Sequence, residues 1–415
     1  YNFRMPNYRP SYLARGCIRA AVSVLLYEHH PPHTPLPRTP PMLPIKPFQL
    51  ERYFAQYEFS ARYLLSSSDC DGLRQRDVLA LADAETNALW QNLTLGYTES
   101  LGHPLLREEV ARLYQGGSAG DCLIIVPEEG IFLALSAILH PGDHVLCTFP
   151  GYQSLYEIAA ALGCEVTYWK PEEEHAWRFN PDFLEHSLKP NTKLLIVNFP
   201  HNPTGYLPPR QDYQRVIDIA KKHNLYLFSD EMYRFLEYDP GDRLPSAYEL
   251  YERAVSLFGM SKTFGLAGAR IGWLMTRDPD LYARLAALKD YTTICSSAPS
   301  EILSIIALRS KEAIIDQHLA RITRNLALLD DFFEQFQHRF TWVRPKAGTI
   351  AFPRLHGAAS ALDFCQRVME DANIMLLPST VYDYGDQHFR LGYGRENLPA
   401  ALEKLSAYLS TPGSL

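Results

Sequence analysis

The sequence predicts an α/β fold: a three-layer sandwich with a mostly parallel central sheet, accompanied by a smaller α+β domain built from the N- and C-terminal segments. From about residue 100 onward, short apolar runs rich in β-branched and aromatic residues alternate with helical patterns. Such alternation is typical of crossover units, whose parallel strands are buried between helices. The last part of the chain differs, because long helices there are followed by a few short strands.

Six apolar runs are predicted to be strands of the large sheet: in chain order, CLIIV, HVLCTF, EVTYW, LLIVNF, LYLFSD and AVSLF. Helical patterns lie between most of them, among them GIFLALSAILH, SLYEIAAALG and RQDYQRVIDIAKKHN. Long helices are predicted from about Pro279 to Phe336, and a strand-containing stretch, FTWVRPKAGTIAFPRL through HFRLGYG, closes the chain. We therefore expect residues 42–90 and 326–415 to form the small domain and residues 91–325 to form the large domain.

The first 41 residues differ from the rest of the chain. The string HHPPHTPLPRTPP is rich in proline and histidine and is not expected to form a helix or a strand. The apolar piece AAVSVLLY is short and no small-residue cleavage site follows it, so a secretory signal is not expected. Ordinary globular composition starts at Met42, so we interpret residues 1–41 as a disordered or non-native extension.

Charge and cysteine usage exclude several classes of protein. The 415 residues carry a net charge of −7, which argues against a basic face for nucleic acid. No apolar run approaches the roughly 20 residues that cross a bilayer, so no membrane partner is expected. The seven cysteines form no CxxC pair, so neither a disulfide framework nor a metal site is expected. Together these features predict a cytoplasmic protein.

A single lysine follows the last predicted strand of the sheet. The run AVSLF leads into GMSKTFGLAGARIGW, where Lys262 is surrounded by glycines that let the backbone turn tightly. Lysines after strands usually face solvent, but one held in such a turn loses water and its amine shifts toward the neutral form. Because a neutral amine attacks carbonyl groups, Lys262 is a candidate for imine chemistry.

Two motifs beside other strand ends suit ligand binding. PEEGIFLALS places Gly130 at the start of a helix, where free backbone N–H groups suit an anion such as a phosphate. NFPHNPTG follows the strand LLIV and places Asn198 and Asn202 at its end, in a turn fixed by Pro203 and Gly205. We interpret both asparagines as candidate ligand contacts, with Asn198 on the substrate side.

Charged side chains complete the set. LFSDEMYRFLEY places Asp230 at the end of a very apolar strand, where a carboxylate is costly unless a cation meets it. Tyr233 follows three residues later and is expected to face the same cavity. FRLGYG carries Arg390 in the small domain, and an arginine fork matches a carboxylate with two contacts.

One small molecule uses all of these groups. Pyridoxal phosphate has an aldehyde for Lys262 and a ring nitrogen for Asp230. Its phenolic oxygen suits Asn202 and Tyr233, and its phosphate suits a helix start together with Arg270. The sequence therefore predicts pyridoxal 5'-phosphate as the cofactor.

At this point the sequence resembles the fold-type I pyridoxal-phosphate enzymes of the class I/II aminotransferase group. The strings SKTFGLAGARIG, NPTG, SDEMY, GYTESLGHPLLREEVA and FRLGYG are similar to the signatures of that group and occur in its order. The likeness runs from about Phe48 to Leu409. It implies the fold-type I architecture, an amino-acid substrate and a homodimer with a shared active site.

The resemblance also implies roles for catalytic residues. Lys262 matches the lysine that forms a Schiff base with the cofactor and later carries a proton. Asp230 matches the partner of the pyridine nitrogen, which it keeps protonated so that the ring can withdraw electrons. Tyr152, in FPGYQSLY, matches the aromatic residue that stacks on the cofactor ring. Asn202 and Tyr233 match the donors to the ring oxygen.

Further positions correspond to binding residues of the group. Gly130, Ile131 and Arg270 match phosphate-binding positions. Tyr97, in LGYTES, resembles the tyrosine that reaches the cofactor phosphate of the neighbouring subunit. Arg390 matches the arginine that grips the substrate α-carboxylate.

The sequence departs from the group in two places. Gly259 stands three residues before the lysine, where a serine or threonine that binds the phosphate is frequent. The phosphate loop carries Glu128 and Glu129, which are unfavourable near a dianion unless they point toward something cationic. LLSSSDCDGL adds Asp69 and Asp71 near the substrate side. These four acids are usually only solvated, but they also suit a pocket for a substrate with a cationic, arginine-like side chain.

Three functions stay open, and one is preferred. Our leading interpretation is an aminotransferase acting on an α-amino acid. The alternative is a pyridoxal-phosphate-dependent lyase or cyclase on a hydroxylated arginine, because SSSD and PEEGIF resemble the capreomycidine synthase-like arginine cyclases. A ligand-sensing domain of a transcription regulator is disfavoured, because the proline-rich N-terminal segment supplies no basic helix-turn-helix.

Overall fold

The structure is a computed structural model that describes residues 44–357 and 360–411, so the extension predicted over residues 1–41 lies outside the described residues. The helices are α1 (Gln49–Tyr57), α2 (Gln75–Leu79), α3 (Ala84–Gln91), α4 (Pro104–Ala111), α5 (Pro127–Ile138), α6 (Ser154–Ala161), α7 (Asp182–Ser187), α8 (Arg210–Lys222), α9 (Ala247–Leu250), α10 (Pro279–Lys289), α11 (Ala298–Arg309), α12 (Lys311–Gln335), α13 (Ala361–Ala372) and α14 (Leu398–Leu409).

The strands of the described residues are β1 (Tyr63–Leu64), β2 (Cys122–Ile125), β3 (His144–Thr148), β4 (Glu165–Trp169), β5 (Thr192–Asn198), β6 (Tyr226–Asp230), β7 (Ala254–Gly259), β8 (Gly272–Met275), β9 (Phe340–Thr341), β10 (Ile350–Ala351), β11 (Arg354–Leu355), β12 (Ile374–Met375), β13 (Leu377–Pro378) and β14 (Phe389–Gly392).

A seven-stranded sheet forms the centre of the large domain in the described part of the chain, in the order β2–β8–β7–β6–β5–β3–β4. The five strands from β3 to β7 are all parallel to one another, whereas β8 is antiparallel to both β2 and β7. All six strands predicted from apolar runs are present. The predicted α/β fold with a mostly parallel sheet is therefore confirmed.

Helices cover both faces of this sheet. Successive residues of a strand point to opposite faces. Leu123 and Ile125 of β2 pack in one cluster with α5, α6 and α10, whereas Cys122 and Ile124 pack in another with α4 and α11. Helix α8 covers the second face farther along the sheet, against β5 and β6. The result is the predicted three-layer arrangement.

Strand β8 is not among the predicted strands. It begins at Gly272, which pairs with Gly259 at the end of β7. A glycine-rich turn joins β7 to β8, so the alternation of strands with helices does not mark this four-residue strand. A Cβ at Gly272 would lie 2.8 Å from the backbone oxygen of Phe258, and this close approach explains the glycine.

The small domain combines segments from both ends of the described chain. Strand β1 pairs in parallel with β12, and Leu65 packs in one cluster with α12, α13 and α14. In contrast, α2 and α3 pack against α11 of the large domain. Helix α12 contributes Ile314 to the large-domain core and Phe332 to the small-domain core. The domain divisions at residues 90 and 325 therefore stay predictions.

The ends of three neighbouring strands place polar groups at one edge of the sheet. Asn198 ends β5 and pairs in register with Asp230, which ends β6. Gly259 ends β7, and Lys262 follows three residues later. Because β5, β6 and β7 are parallel neighbours, their carboxyl ends meet at the same edge, where open α/β sheets bind ligands.

Candidate active site

A cavity of about 410 Å³ opens at this edge of the sheet. Most of the predicted site residues line it: Asp69, Glu128, Ile131, Tyr152, Asn198, Asn202, Asp230, Tyr233, Lys262, Arg270 and Arg390. The predicted residues Tyr97, Asp71, Glu129 and Gly130 are not part of its lining. The chain therefore brings together side chains that lie more than 300 residues apart in sequence, from Asp69 to Arg390.

Lys262 reaches the cavity from the loop after β7. Its Nζ donates a hydrogen bond to Ser68 Oγ at 2.9 Å, and Tyr233 Oη donates to the backbone oxygen of Ser68 at 3.1 Å. Burial lowers the pKa of Lys262, which makes its neutral, nucleophilic form easier to reach. The loop requires Gly265, whose φ is +63° and whose Cβ would lie 2.8 Å from the Asp71 oxygen.

Asp230 is a buried carboxylate at the end of β6. Its Oδ1 accepts the Met232 N–H at 3.1 Å. Burial raises the pKa of Asp230 to about 7, because the charged form has lost water and has gained little in return. A cationic ring nitrogen in the cavity would stabilise this carboxylate, as the sequence predicts.

The two asparagines after β5 have different surroundings. Asn198 Nδ2 donates to the backbone oxygen of Asp230 at 3.1 Å, and Asn198 Oδ1 accepts the Asn202 N–H at 2.8 Å. Both polar atoms of Asn198 are thus bonded to backbone, which suits a positioning role better than the predicted substrate contact. Asn202 Oδ1 accepts from Arg390 Nη1 and Tyr382 Oη, each at 3.3 Å.

Arg390 is a buried cation whose hydrogen bonds go to neutral oxygens. Its Nε and Nη2 donate to the Ser66 backbone oxygen at 3.1 and 2.8 Å, and its Nη1 donates to Tyr382 Oη at 2.8 Å. Only 2% of its surface is exposed. A buried guanidinium without a carboxylate partner in the described residues favours binding of an anionic group from a ligand.

The start of α5 corrects the prediction for Gly130. The Gly130 N–H donates to the Val126 oxygen at 2.9 Å inside the helix, so it is not a free donor. A Cβ at Gly130 would lie 2.9 Å from Ile125 Cδ1, so a side chain there would require the Ile125 side chain to shift. Because α5 begins at Pro127, the N–H groups without a helical acceptor belong to Glu128 and Glu129.

A serine that the sequence analysis missed lies beside the lysine. Ser261 lines the cavity, and its buried Oγ has no hydrogen-bond partner in the described part of the chain. A Cβ at Gly259 would lie 3.0 Å from Gly272 Cα and 3.2 Å from Pro127 Cγ, which leaves no room for a side chain there. The unpartnered hydroxyl of Ser261, in the motif GMSKTF, is a donor suited to a phosphate, together with Arg270 on the cavity wall.

Two of the four predicted acids form ion pairs, and the other two accept hydrogen bonds from within the protein. Asp69 forms an ion pair with Arg395 at 3.1 Å, and Asp71 forms one with Arg321 at 3.3 Å. Glu129 accepts the Val126 N–H at 3.0 Å and Thr293 Oγ1 at 2.8 Å. Asp71 and Glu129 also lie outside the cavity lining, which corrects their assignment to the substrate.

Glu128 lines the cavity and forms no ion pair among the described residues. Its carboxylate accepts Ser154 Oγ at 3.2 Å. Burial, with a smaller contribution from the nearby carboxylate of Glu51, raises the pKa of Glu128 to about 7. Tyr152 Oη donates to Glu51 at 3.1 Å, so the predicted stacking residue is tied to helix α1.

Helix α1 contributes residues that sequence reasoning did not assign. Glu51, Phe54 and Glu58 line the cavity from the N-terminal segment. Their spacing of three and four residues places them on one helical face, and this spacing is the sequence pattern that could have identified them. Tyr97, in contrast, is 91% exposed and lies outside the cavity of its own chain.

The donor set fits pyridoxal phosphate. The cavity combines a lysine amine, a buried carboxylate that lacks a cation, an unpartnered serine hydroxyl and an arginine without a carboxylate partner among the described residues. The fold and this cavity define a pyridoxal-phosphate-dependent enzyme of fold type I. The chain belongs to the aminotransferase class I and II family, whose sequence profile matches residues 63–405.

Similar proteins include enzymes of two kinds. Capreomycidine synthase of Streptomyces vinaceus is 28% identical over 91% of this chain and 97% of its own length. A pyridoxal-phosphate-dependent aminotransferase structure from Streptococcus suis 89-1591 is 29% identical, covers 88% of this chain and 98% of its own, and has a TM-score of 0.83. The structure of the pyridoxal-phosphate-dependent cyclase OrfR is 28% identical, with coverages of 91% and 99% and a TM-score of 0.81.

Proposed function

We propose that this enzyme removes the amino group of an α-amino acid by transamination, with Lys262 as the proton carrier and Arg390 as the carboxylate site. The observation that supports this most is that Lys262, Asp230 and Arg390 line one cavity. When bound, pyridoxal phosphate supplies an aldehyde for the amino group and a ring that withdraws electrons from the α-carbon.

The cavity residues have separate roles in the proposed reaction. Arg390 orients the substrate through its α-carboxylate, since its guanidinium is fixed by Ser66 and Tyr382. Lys262 Nζ moves the proton of the α-carbon, and positioned proton transfer of this kind contributes about 10²–10⁴-fold to a rate. Asp230 holds the proton on the ring nitrogen. Ser261 and the N–H groups at the start of α5 hold the phosphate.

Elimination followed by ring closure is a second candidate. It is favoured by the similarity to capreomycidine synthase and to the cyclase OrfR, each of which covers 91% of this chain. Both candidate reactions start with removal of the Cα proton by Lys262. They differ in whether a leaving group on the substrate side chain departs. A hydroxylated arginine would be the substrate in that case.

One comparison separates the two reactions. The purified holoenzyme would be incubated with hydroxyarginine alone and, separately, with arginine and 2-oxoglutarate, and the products measured by mass spectrometry. Formation of glutamate supports transamination, and a dehydrated, cyclised product supports ring closure. Absence of both products with every amino acid offered would contradict the proposed function.

We also propose that the enzyme is a homodimer in which Tyr97 reaches the cofactor phosphate of the partner. Tyr97, Leu95 and Tyr291 are 91%, 86% and 90% exposed, and exposed apolar groups of this size favour an interface. Thr98 Oγ1 donates to the Ser296 oxygen at 3.1 Å and links the two segments that carry them. Light scattering of the wild type and of Tyr97→Ala tests this assembly.

A cytoplasmic location is part of the proposal. The cysteines of residues 44–357 and 360–411 are all free thiols, which suits a reducing compartment. None of the described helices combines the length and apolar composition that a bilayer crossing requires.

A further inference from the structure

The cavity contains more carboxylates than the proposed chemistry uses. Asp230 is assigned to the ring nitrogen, and Asp69 is already paired with Arg395. Glu51, Glu58 and Glu128 are left, and none of the three forms an ion pair in the described part of the chain. Acidic side chains that line a cavity without forming an ion pair of their own favour a ligand that carries a positive charge.

Glu51 lies on α1, Glu58 directly follows the last residue of that helix, and both line the cavity. Glu51, Phe54 and Glu58 are spaced as i, i+3 and i+7, so they share one side of the helix, and all three line the cavity. The Phe54 ring lies 5.7 Å from the Arg390 guanidinium carbon. This acidic face is therefore adjacent to the site proposed for the α-carboxylate.

The helix is held in this position by the large domain. The Gln49 N–H donates to Gln153 Oε1 at 2.8 Å, and Gln153 Nε2 donates to the Pro47 oxygen at 3.0 Å. Tyr152 Oη adds the hydrogen bond to Glu51 at 3.1 Å. The face that carries Glu51, Phe54 and Glu58 is therefore a fixed part of the cavity wall.

The two carboxylates also act on each other. Burial raises the pKa of Glu58, and the charges of Asp69 and Glu51 raise it further, while Arg395 lowers it. The electrostatic repulsion between two such carboxylates decreases when a cation binds near both of them. Phe54 lies between the two acids in sequence, and its ring already carries the Arg390 guanidinium, whose carbon lies 5.7 Å from the ring centroid.

We propose that Glu51 and Glu58, with Phe54 between them, bind the cationic end of the substrate side chain and select a guanidinium-bearing amino acid. This rests on the proposed function, in which Arg390 holds the α-carboxylate of the same molecule. The half-buried Glu58 contributes more than the exposed Glu51, because solvent screens an exposed charge. Recognition of the charge is separate from the choice between transamination and ring closure.

The test compares two amino acids of equal shape. L-arginine carries a guanidinium and L-citrulline a neutral ureido group, and each is titrated into holoenzyme while the cofactor absorbance is followed. We expect the wild type to bind arginine about tenfold more tightly than citrulline, and Glu58→Gln to remove most of this difference through weaker arginine binding. Glu51→Gln should have a smaller effect of the same sign.

Controls make the outcomes distinct. Glu403→Gln removes the same charge from the exposed face of α14 and should leave the preference unchanged. Retained citrulline binding shows that a variant is folded. Equal binding of arginine and citrulline by the wild type, or equal losses for both in Glu58→Gln, overturns the assignment but leaves the proposed function standing. If no amino acid changes the absorbance, both are overturned.

Discussion

Lys262 Nζ donates a hydrogen bond to Ser68 Oγ at 2.9 Å, which joins the loop after β7 to the N-terminal segment of the small domain. The partner of the lysine thus comes from a residue 194 positions earlier in the chain. Burial lowers the pKa of Lys262, and the charges of Asp69 and Glu51 oppose this shift. As a hydrogen-bond acceptor, the Ser68 hydroxyl also favours the ammonium form.

Ser68→Ala should therefore shift the pH dependence of the reaction. Loss of the acceptor lowers the pKa of Lys262 further. The part of the kcat–pH profile that depends on deprotonation of Lys262 should therefore shift to lower pH. The misplaced amine should also reduce kcat by about tenfold, the effect of losing one positioning hydrogen bond of about 1.4 kcal/mol. Ser68→Thr keeps the hydroxyl and should restore the profile; a profile unchanged in Ser68→Ala would refute this role.

Asp230 should make the apoprotein sensitive to pH. Its pKa rises from 3.8 to about 7 in the folded chain, so the folded state holds this proton more tightly. The stability from this group is present below pH 3.8 and is lost as the pH rises through about 7. Urea unfolding of the apoprotein at pH 5 and pH 8 tests this. As the pH rises, the unfolding free energy of Asp230→Asn should increase relative to that of the wild type by at most about 1.4 kcal/mol per pH unit. An equal difference at both pH values would contradict the raised pKa.

His201 should be a neutral positioning residue. Its Nδ1 contacts Thr204 Oγ1 at 2.7 Å, and its Nε2 contacts the Pro150 oxygen at 2.8 Å, which ties the loop of Asn202 to the loop of Tyr152. Burial lowers the pKa of His201 from 6.5 to about 3. Its contribution to stability is therefore present above pH 6.5 and is lost as the pH falls toward 3.

His201→Leu tests this linkage directly. It leaves the Pro150 oxygen without a donor and should cost about 1–3 kcal/mol of unfolding free energy at pH 8. The difference in unfolding free energy between the variant and the wild type should become smaller from pH 8 to pH 5, because only the wild type has to bury a histidine that would otherwise be protonated. Denaturant unfolding at the two pH values measures this; a gap that widens at pH 5 would show that the imidazole is charged in the folded state.

Gly259 and Ser261 should respond differently to substitution. Gly259→Ser places a Cβ 3.0 Å from Gly272 Cα and from the Ile271 oxygen, so it should destabilise the fold by about 1–3 kcal/mol. Ser261→Ala should leave unfolding nearly unchanged but weaken cofactor binding by about tenfold through one lost hydrogen bond to a charged group. Thermal unfolding of apoprotein and fluorescence titration with pyridoxal phosphate separate the two effects. Normal cofactor affinity in Ser261→Ala would remove this residue from the phosphate site.

The strand-end residues of the cavity could be predicted because their signals are local. Asp230 ends an apolar strand, Lys262 and Asn202 follow within four residues of one, and parallel neighbours bring these strand ends together. Arg390 lies in β14 of the small domain; the string FRLGYG marks it as a candidate carboxylate site, and the family resemblance adds its role toward the α-carboxylate.

Other features depend on contacts between distant segments. Asp71 and Glu129 are engaged by Arg321 and Thr293, which no local pattern connects to them. Glu51 and Glu58 reach the cavity because α1 is held by hydrogen bonds of Gln49 and Pro47 to Gln153, more than 100 residues away. Spacing within α1 shows which residues share a face, but it does not show what that face contacts.

The central claim is that Lys262 holds the cofactor covalently. Lys289 offers an internal comparison, because it is also a buried lysine with a pKa lowered by burial, but its Nζ donates to the Ser100 and Ile294 oxygens at 2.7 and 2.8 Å. The most direct measurement is borohydride reduction of the holoenzyme followed by peptide mapping by mass spectrometry. A pyridoxyl-phosphate label on the peptide that contains Lys262, absent in Lys262→Ala, is the predicted result. A label on Lys289 or on any other lysine, or a label that persists in Lys262→Ala, would contradict the account.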